Sequence, residues 1–391
     1  MSGQIPIAKP ILGEPEIAAA RRVIESGWVT QGPEVAAFEA EFAEYVGARY
    51  ACAVSNCTTA LHLALLGVGC APGHEVITVS HSFIATSNAI LYCGAEPVFV
   101  DIEPNGFNID VSAIEAAITR ETCAILCVHQ MGMPSNMDAI LAIANRYSLP
   151  VIEDAACAFG SELQHGGKWQ RVGAPLGAVA CFSFHPRKVA TTGDGGMLTT
   201  NDAELDRRFR LWRQHGMSVS DTVRHGSKQV VHESYSEVGF NYRMTDIQAA
   251  IGREQVKRMT DIIPSRRRVA QIYAERLGAI PGLGMPIEPH WAHSNWQSFC
   301  VRLPPGADQH TVMQSMLDRG ISTRRGIMNA HLETPYLSAD HQGMPHLHRS
   351  ESAQAECIML PIYAQMTDAE IDRVVSELTD VLENTRHLLL A

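Results

Sequence analysis

The chain has 391 residues, 46% of them hydrophobic and 19% charged, with 31 Lys+Arg against 42 Asp+Glu for a net charge of −11. Those figures exclude a disordered or fibrous chain, and an acidic balance argues against a general nucleic-acid surface. No apolar run approaches the ~20 residues of a membrane span, and MSGQIPIAKPILGEPE lacks the apolar core of a secretory signal, so a cytoplasmic protein with no membrane or nucleic-acid partner is expected.

In chain order, YACAV (50–54) reads as a strand leading through SNCTTALHLALL into a helix, and EVITVS (75–80) as a strand. SNAILYC belongs to the following helix, with Phe83 near its start. Strands at PVFVDI (from Pro97), CAILCVH (123–129), PVIED (150–154) and AVACFSF (from Ala178) alternate with helical patterns at DVSAIEAAI and MDAILAIANRY. That alternation predicts an α/β fold, a mostly parallel sheet covered by helices on both faces, with ligand groups at the strands' carboxyl ends. Near Met244 the pattern changes to a long helical stretch, TDIQAAIGREQVKRM and DIIPSRRRVAQIYAERL, expected to break at Pro264. The strand QSFCVRL, the helix HTVMQSMLDRG, the short strand IST and an amphipathic terminal helix capped by Thr367 follow. We expect a large domain over 1–250 and a smaller α+β domain over 251–391.

Ten cysteines without a CxxC pair read as reduced, mostly buried thiols. The tightest histidine group, His341, His346 and His348, reads as surface loop, so no metal is expected.

The most informative stretch is SFHPRKVATTGDGG, which leaves an apolar strand at Ser183 and enters a Gly-rich turn. Lys188 there could form a Schiff base; taken alone, it reads as an exposed surface lysine. Asp154, ending an apolar strand, could pair with a protonated pyridine nitrogen or simply cap a helix over AACAFG. The helix start after Asn56, with its unpaired N–H groups and the hydroxyls of Ser55 and Thr58, could hold a phosphate; capping by Ser55 or Asn56 is the plainer reading. Phe83 could lie against a flat ring or belong to the core. Together these features describe a pyridoxal 5′-phosphate site.

At this point the chain resembles the DegT/DnrJ/EryC1/StrS aminotransferases, sugar aminotransferases of pyridoxal-phosphate fold type I. The motifs IPIAKPILGEPE, PVFVDIEPNGFNID, VHQMGMP, VIEDAA, SFHPRK, TTGDGGM, GFNYRMTDIQAAIG and LPIYAQMTDAEIDRVV carry the likeness. It implies that Lys188 holds the cofactor as an internal aldimine and shuttles protons, with Asp154 on the ring nitrogen. Burial and a cationic imine would lower the Lys188 pKa. Phosphate contacts are implied for Ser183, Thr58 and the backbone of Asn56 and Cys57, a ring contact for Phe83, and a contact of Asn241 with the phosphate of the second subunit of a homodimer. Two positions depart from the family pattern: Cys157, usually Gln or His beside the cofactor's phenolic oxygen, and Cys57, usually Gly. The implied reaction passes an amino group from L-glutamate to a nucleotide-linked keto-sugar, a 4-keto-6-deoxyhexose aminated at C4. A keto-cyclitol acceptor and a non-catalytic cofactor-binding protein are the alternatives. Cationic candidates for the diphosphate are Arg187, Arg224, Lys228, Arg324 and Arg325, with His185 nearby. Arg224 and Lys228 fall in a polar segment, 216–235, which could form a lid over the sugar nucleotide or a solvated surface loop.

Overall fold

The structure, a computed structural model, describes residues 3–337 and 346–390; His341 lies outside them. The first nine strands are β1 (Tyr50–Val54), β2 (Glu75–Val79), β3 (Glu96–Val100), β4 (Thr122–Val128), β5 (Val151–Asp154), β6 (Glu162–His165), β7 (Lys168–Arg171), β8 (Val179–Ser183) and β9 (Gly196–Thr200). Seven of them form one sheet in the order β1-β9-β8-β5-β4-β2-β3. β8, β5, β4, β2 and β3 pair in parallel, and β9 pairs antiparallel with both β8 and β1. The carboxyl ends of β1, β2, β4, β5 and β8 therefore share one edge, with the first residue of β9 beside them. Strands such as β8, VACFS, are almost wholly apolar because helices cover both faces.

The expected strands fall within a residue or two of their positions. Three expectations need correction. The helical stretch breaks at Arg258, between helices Asp246–Lys257 and Met259–Leu277, and Pro264 lies inside the second helix. A proline near a helix start removes one N–H without ending the helix when the flanking turns are packed, and Ile262, Ile263 and Val269 are all buried. IST is not a strand: Ile321 makes one parallel bridge to Ile5, and pairing begins at β12 below. The pattern over 110–118 yields only a short helix, Val111–Ile114, and one 3-10 turn.

The chain's later strands are β10 (Ala292–His293), β11 (Phe299–Arg302), β12 (Arg324–Arg325) and β13 (Cys357–Leu360). β11, β13 and β12 form a second sheet, and β10 joins the β6–β7 hairpin. That hairpin turns on Gly166 and Gly167, both with positive φ, as a two-residue turn between twisted strands requires. Apolar side chains gather in two main clusters. One surrounds the seven-stranded sheet; the other joins Ile5 to residues between Val269 and Leu382. Helix Met259–Leu277 serves both, Ile262 and Ile263 in the first and Val269, Tyr273 and Leu277 in the second. Thr367 caps the last helix, Asp368–Leu390: its hydroxyl accepts from the Glu370 N–H at 3.2 Å.

Candidate active site

The shared strand edge gathers the residues that the motifs single out. Asp154 ends β5, is 4% exposed, and faces Cys181 of β8 in register. Its Oδ1 accepts the Ala156 N–H at 3.1 Å, and its Oδ2 accepts the Thr86 hydroxyl at 2.8 Å. No helix comes directly after it, so its local bond closes a turn rather than capping a helix. Since the Thr86 hydroxyl proton goes to Asp154, the Ser82 hydroxyl, 2.8 Å away, donates to Thr86. Burial pushes the Asp154 carboxyl up, against the pull of Thr86, Ala156, Lys188 and His129.

Lys188 lies in the β8–β9 connection, half-buried, with Nζ 3.1 Å from Cys157 Sγ. Burial draws its ammonium down, yet Cys157, Cys57 and Asp154 around it prevail, and the net shift is upward. Burial acts in the expected direction, and the acidic groups of this chain outweigh it.

Helix Cys57–Gly67 starts at the same edge. Asn56 Oδ1 caps it by accepting the Thr59 N–H at 2.9 Å, which leaves the N–H groups of Cys57 and Thr58 without partners among the described residues. Cys57 is free of positive φ, so its backbone donor survives the absence of glycine. Ser183 pairs with Gly196, and a Cβ on Gly196 would come within 2.4 Å of the Asn56 backbone. That glycine lets the helix start approach β9, the strand that pairs with Ser183. Phe83 stands before helix Ala85–Tyr92 and is 69% exposed, an aromatic face outside the core.

His185 and Arg187 precede Lys188, and Arg324 lies within electrostatic range of both. Burial, then Lys188 and the two arginines, lowers the His185 pKa; burial and Arg324 lower that of Arg187. Arg187 Nε is buried without a partner. Arg325 is exposed, 4.0 Å from Glu333. Arg224 pairs with Glu233 at 3.3 Å, and Lys228 is exposed. Their segment is no plain loop. It carries helix Asp221–Gly226 and is pinched at its base by Met217–Tyr235 bridging. Asn241 is exposed and bridges Gln214.

Sequence reasoning missed three supports. Thr86 is one hydroxyl among several in SHSFIATSNAI, with nothing to mark it. Asn295 Nδ2 donates to the carbonyls of Cys157 and Phe159 at 2.8 and 2.9 Å, and Gln297 Nε2 donates to that of Arg187 at 3.0 Å. Among the described residues no group of three or more His, Cys, Asp or Glu is placed to hold a metal ion, and no helix is long and apolar enough to cross a membrane.

A half-buried lysine, a buried strand-end carboxylate and a helix start with free N–H groups now share one edge. The chain belongs to the DegT/DnrJ/EryC1/StrS aminotransferase family. The family's pattern matches residues 10–379. The chain is 35% identical over 383 residues to the spore coat polysaccharide biosynthesis protein SpsC of Bacillus subtilis (strain 168), covering 97% of each. It is similar in structure to the aminotransferase TlmJ of Streptoalloteichus hindustanus, with 31% identity, a TM-score of 0.89 and coverage of 98% of this chain and 100% of that one. DesV of S. venezuelae, solved in complex with a ketimine intermediate, shows 32% identity, a TM-score of 0.87 and coverage of 98% and 99%. This family member is thus a pyridoxal-phosphate-dependent aminotransferase of fold type I. Its residues fit that cofactor: N–H donors for a phosphate, a buried acid for a ring nitrogen and an amine beside both.

Proposed function

We propose that the enzyme transfers an amino group from L-glutamate to C4 of a nucleotide-linked 4-keto-6-deoxyhexose, for glycan assembly, with Lys188 as the imine-forming and proton-carrying amine. One observation carries the reading: Lys188 Nζ lies in the electrostatic field of the buried Asp154 carboxylate, across neighbouring strand ends. SpsC, named for polysaccharide biosynthesis, supports a sugar acceptor. Arg187 and Arg324, gathered beside His185, support a diphosphate-bearing one.

When bound, pyridoxal phosphate supplies an aldehyde and a ring that takes up electrons from the amino-bearing carbon. The N–H groups of Cys57 and Thr58, with the hydroxyls of Thr58 and Ser183, would hold its phosphate. Asp154 would keep the ring nitrogen protonated, with Thr86 and Ala156 fixing the carboxylate in place. Phe83 would lie against the ring. Lys188 Nζ, as a free amine, would be the group that carries the substrate carbon's proton. That role requires the ammonium to lose a proton that its acidic neighbours favour. Asn241, exposed, reaches the phosphate of a second subunit in a homodimer.

The test is spectrophotometric. L-glutamate should convert the bound cofactor from its aldehyde to its amine form, and a nucleotide 4-keto-6-deoxyhexose should reverse the conversion and yield a 4-amino sugar by mass and NMR. Borohydride reduction followed by peptide mapping should label Lys188. A label elsewhere refutes the lysine's role; turnover with 3-keto sugars or keto-cyclitols alone refutes the proposed acceptor.

A further inference from the structure

All ten cysteines are free thiols, eight of them buried. Three meet at the amino ends of β2 and β4, the sheet edge opposite the candidate active site. Cys70 follows the turn after helix Cys57–Gly67, its N–H on the Leu65 carbonyl at 3.0 Å. Cys93 closes helix Ala85–Tyr92, and Cys123 is the second residue of β4. Cys70 Sγ and Cys123 Sγ are 2.8 Å apart.

The local register puts them there. Glu75 pairs with Thr122 and Val76 with Ala124, so Cys123 is an extra residue in β4 with no partner on β2. Such a bulge re-aims a side chain out of the strand's alternation. Cys93 lies within electrostatic range of both other thiols. Access is unequal: Cys70 is 3% and Cys93 7% exposed, whereas Cys123 is half-buried.

We propose that Cys70 and Cys123 form an oxidisable dithiol, a modification site for hydroperoxides distinct from the aminotransferase centre. The sulfur of Cys123 attacks one peroxide oxygen; the O–O bond breaks, the other oxygen leaves with the thiol's proton as water (as an alcohol from an alkyl hydroperoxide), and Cys123 becomes a sulfenic acid. The sulfur of Cys70 then attacks that of Cys123; the S–O bond breaks, the oxygen leaves with the Cys70 proton as water, and a disulfide forms. Two thiols lose two electrons, and one peroxide gains them. Access from Cys123 and the contact with Cys70 assign the two roles.

Two other sites sharpen the assignment. Cys300 on β11 and Cys357 on β13 are also in hydrogen-bonding contact, but at 2% and 0% exposure neither offers an oxidant an entry. Cys157 is half-buried like Cys123, yet its sulfur contacts the Lys188 amine. The dithiol alone combines an accessible sulfur with a second one in contact. The bridge would join residues 53 apart in sequence, a constraint that favours the folded chain.

The test uses the reduced holoenzyme titrated with hydrogen peroxide, with free thiols then blocked by N-ethylmaleimide in denaturant and mapped by mass spectrometry. The expected product has lost two hydrogen masses, joins the peptides carrying Cys70 and Cys123, and reverts with dithiothreitol. Its melting midpoint should lie above that of the reduced form. In Cys70→Ser, dimedone should trap the sulfenic acid on Cys123. Where that variant fails to fold, the wild-type map alone decides. A bridge between any other pair, or Cys70 and Cys123 both still alkylated at a dose that has oxidised Cys157, would overturn the proposal. The map makes no use of aminotransferase activity, so it stands or falls apart from the functional reading.

Discussion

His81 makes the strand-end region acid-sensitive. Its side chain is fully buried, stacked on Phe107 at 5.8 Å, and its Nδ1 lies 3.1 Å from Asn329 Oδ1. Asn329 uses its side-chain N–H on the Ser350 carbonyl, so Oδ1 is the acceptor and Nδ1 carries the imidazole proton. Nε2 is then the bare nitrogen, buried without a partner. Protonation would place an N–H there facing no acceptor. Burial accordingly lowers the His81 pKa from 6.5 to about 4, against the pull of Asn329 and Asp101 and with a small push from Arg302. Between those values the unfolded chain binds the proton and the folded chain refuses it. Stability from this group is complete above pH 6.5 and is lost as pH falls toward 4. The gap corresponds to about 3 kcal/mol in all and about 2 kcal/mol at pH 5. Urea unfolding of wild type and His81→Gln, which keeps a donor for Asn329 but does not titrate, measures it. Wild type should lose about 2 kcal/mol more than the variant between pH 7.5 and pH 5. Equal losses would refute the burial argument.

Three further outcomes are expected of the site and its frame. Thr86→Val removes a donor from the buried Asp154 carboxylate, worth about 1.5–3 kcal/mol, and should slow cofactor conversion by L-glutamate roughly tenfold to a hundredfold in stopped flow. Thr86→Ser should restore most of the rate. Gly196→Ala sets a Cβ against the Asn56 backbone and should weaken pyridoxal phosphate binding by about tenfold or more, read by fluorescence titration of the apoenzyme. Glu39→Gln removes the carboxylate that pairs with Arg213, itself 4% exposed, and with Arg210 at 2.6 Å; the stranded charge should cost about 3–5 kcal/mol in urea unfolding.

Much of the fold and the heart of the site are legible in the sequence for one physical reason. A parallel sheet delivers successive strands to a common edge, so residues at the ends of apolar runs, Asp154 and Ser183, end neighbouring strands although 29 positions separate them. Lys188 is legible because it comes after such an end within a Gly-rich turn. Elements without that signature escape. The β6–β7 hairpin, ELQH and KWQR, is mixed in burial and strongly polar, and β9 opens on glycine. Asn295 and Gln297 cannot be anticipated. They reach Cys157 and Arg187 across 138 and 110 positions, and a loop amide carries no periodic signal.

The two adjacent acids that end β5 show how the fold separates a structural carboxylate from a chemical one. Strand alternation sends Glu153 and Asp154 to opposite faces. Glu153 is 1% exposed, and its oxygens accept from the Leu176 and Gly177 N–H groups at 3.0 and 2.9 Å and from His129 Nε2 at 3.1 Å. His129 must donate there, because its Nδ1 already accepts the Ser135 N–H at 2.9 Å. Three donors on one carboxylate, from a loop and an imidazole, anchor the chain after β5 to the strands beside it. Among the described residues Asp154 receives two, one on each oxygen. A carboxylate has about four acceptor sites, so Asp154 keeps capacity for a further N–H donor, on the face that holds Lys188. That spare capacity at a fully enclosed acid distinguishes it from its neighbour. Burial raises the Asp154 carboxyl for the same reason: the fold has not supplied enough donors to offset desolvation. A protonated pyridine nitrogen would supply the missing one. On this reasoning Asp154→Asn should hold the chain's stability while abolishing conversion of the cofactor by L-glutamate. A variant that kept the conversion would show that the spare site on Asp154 has no part in the chemistry.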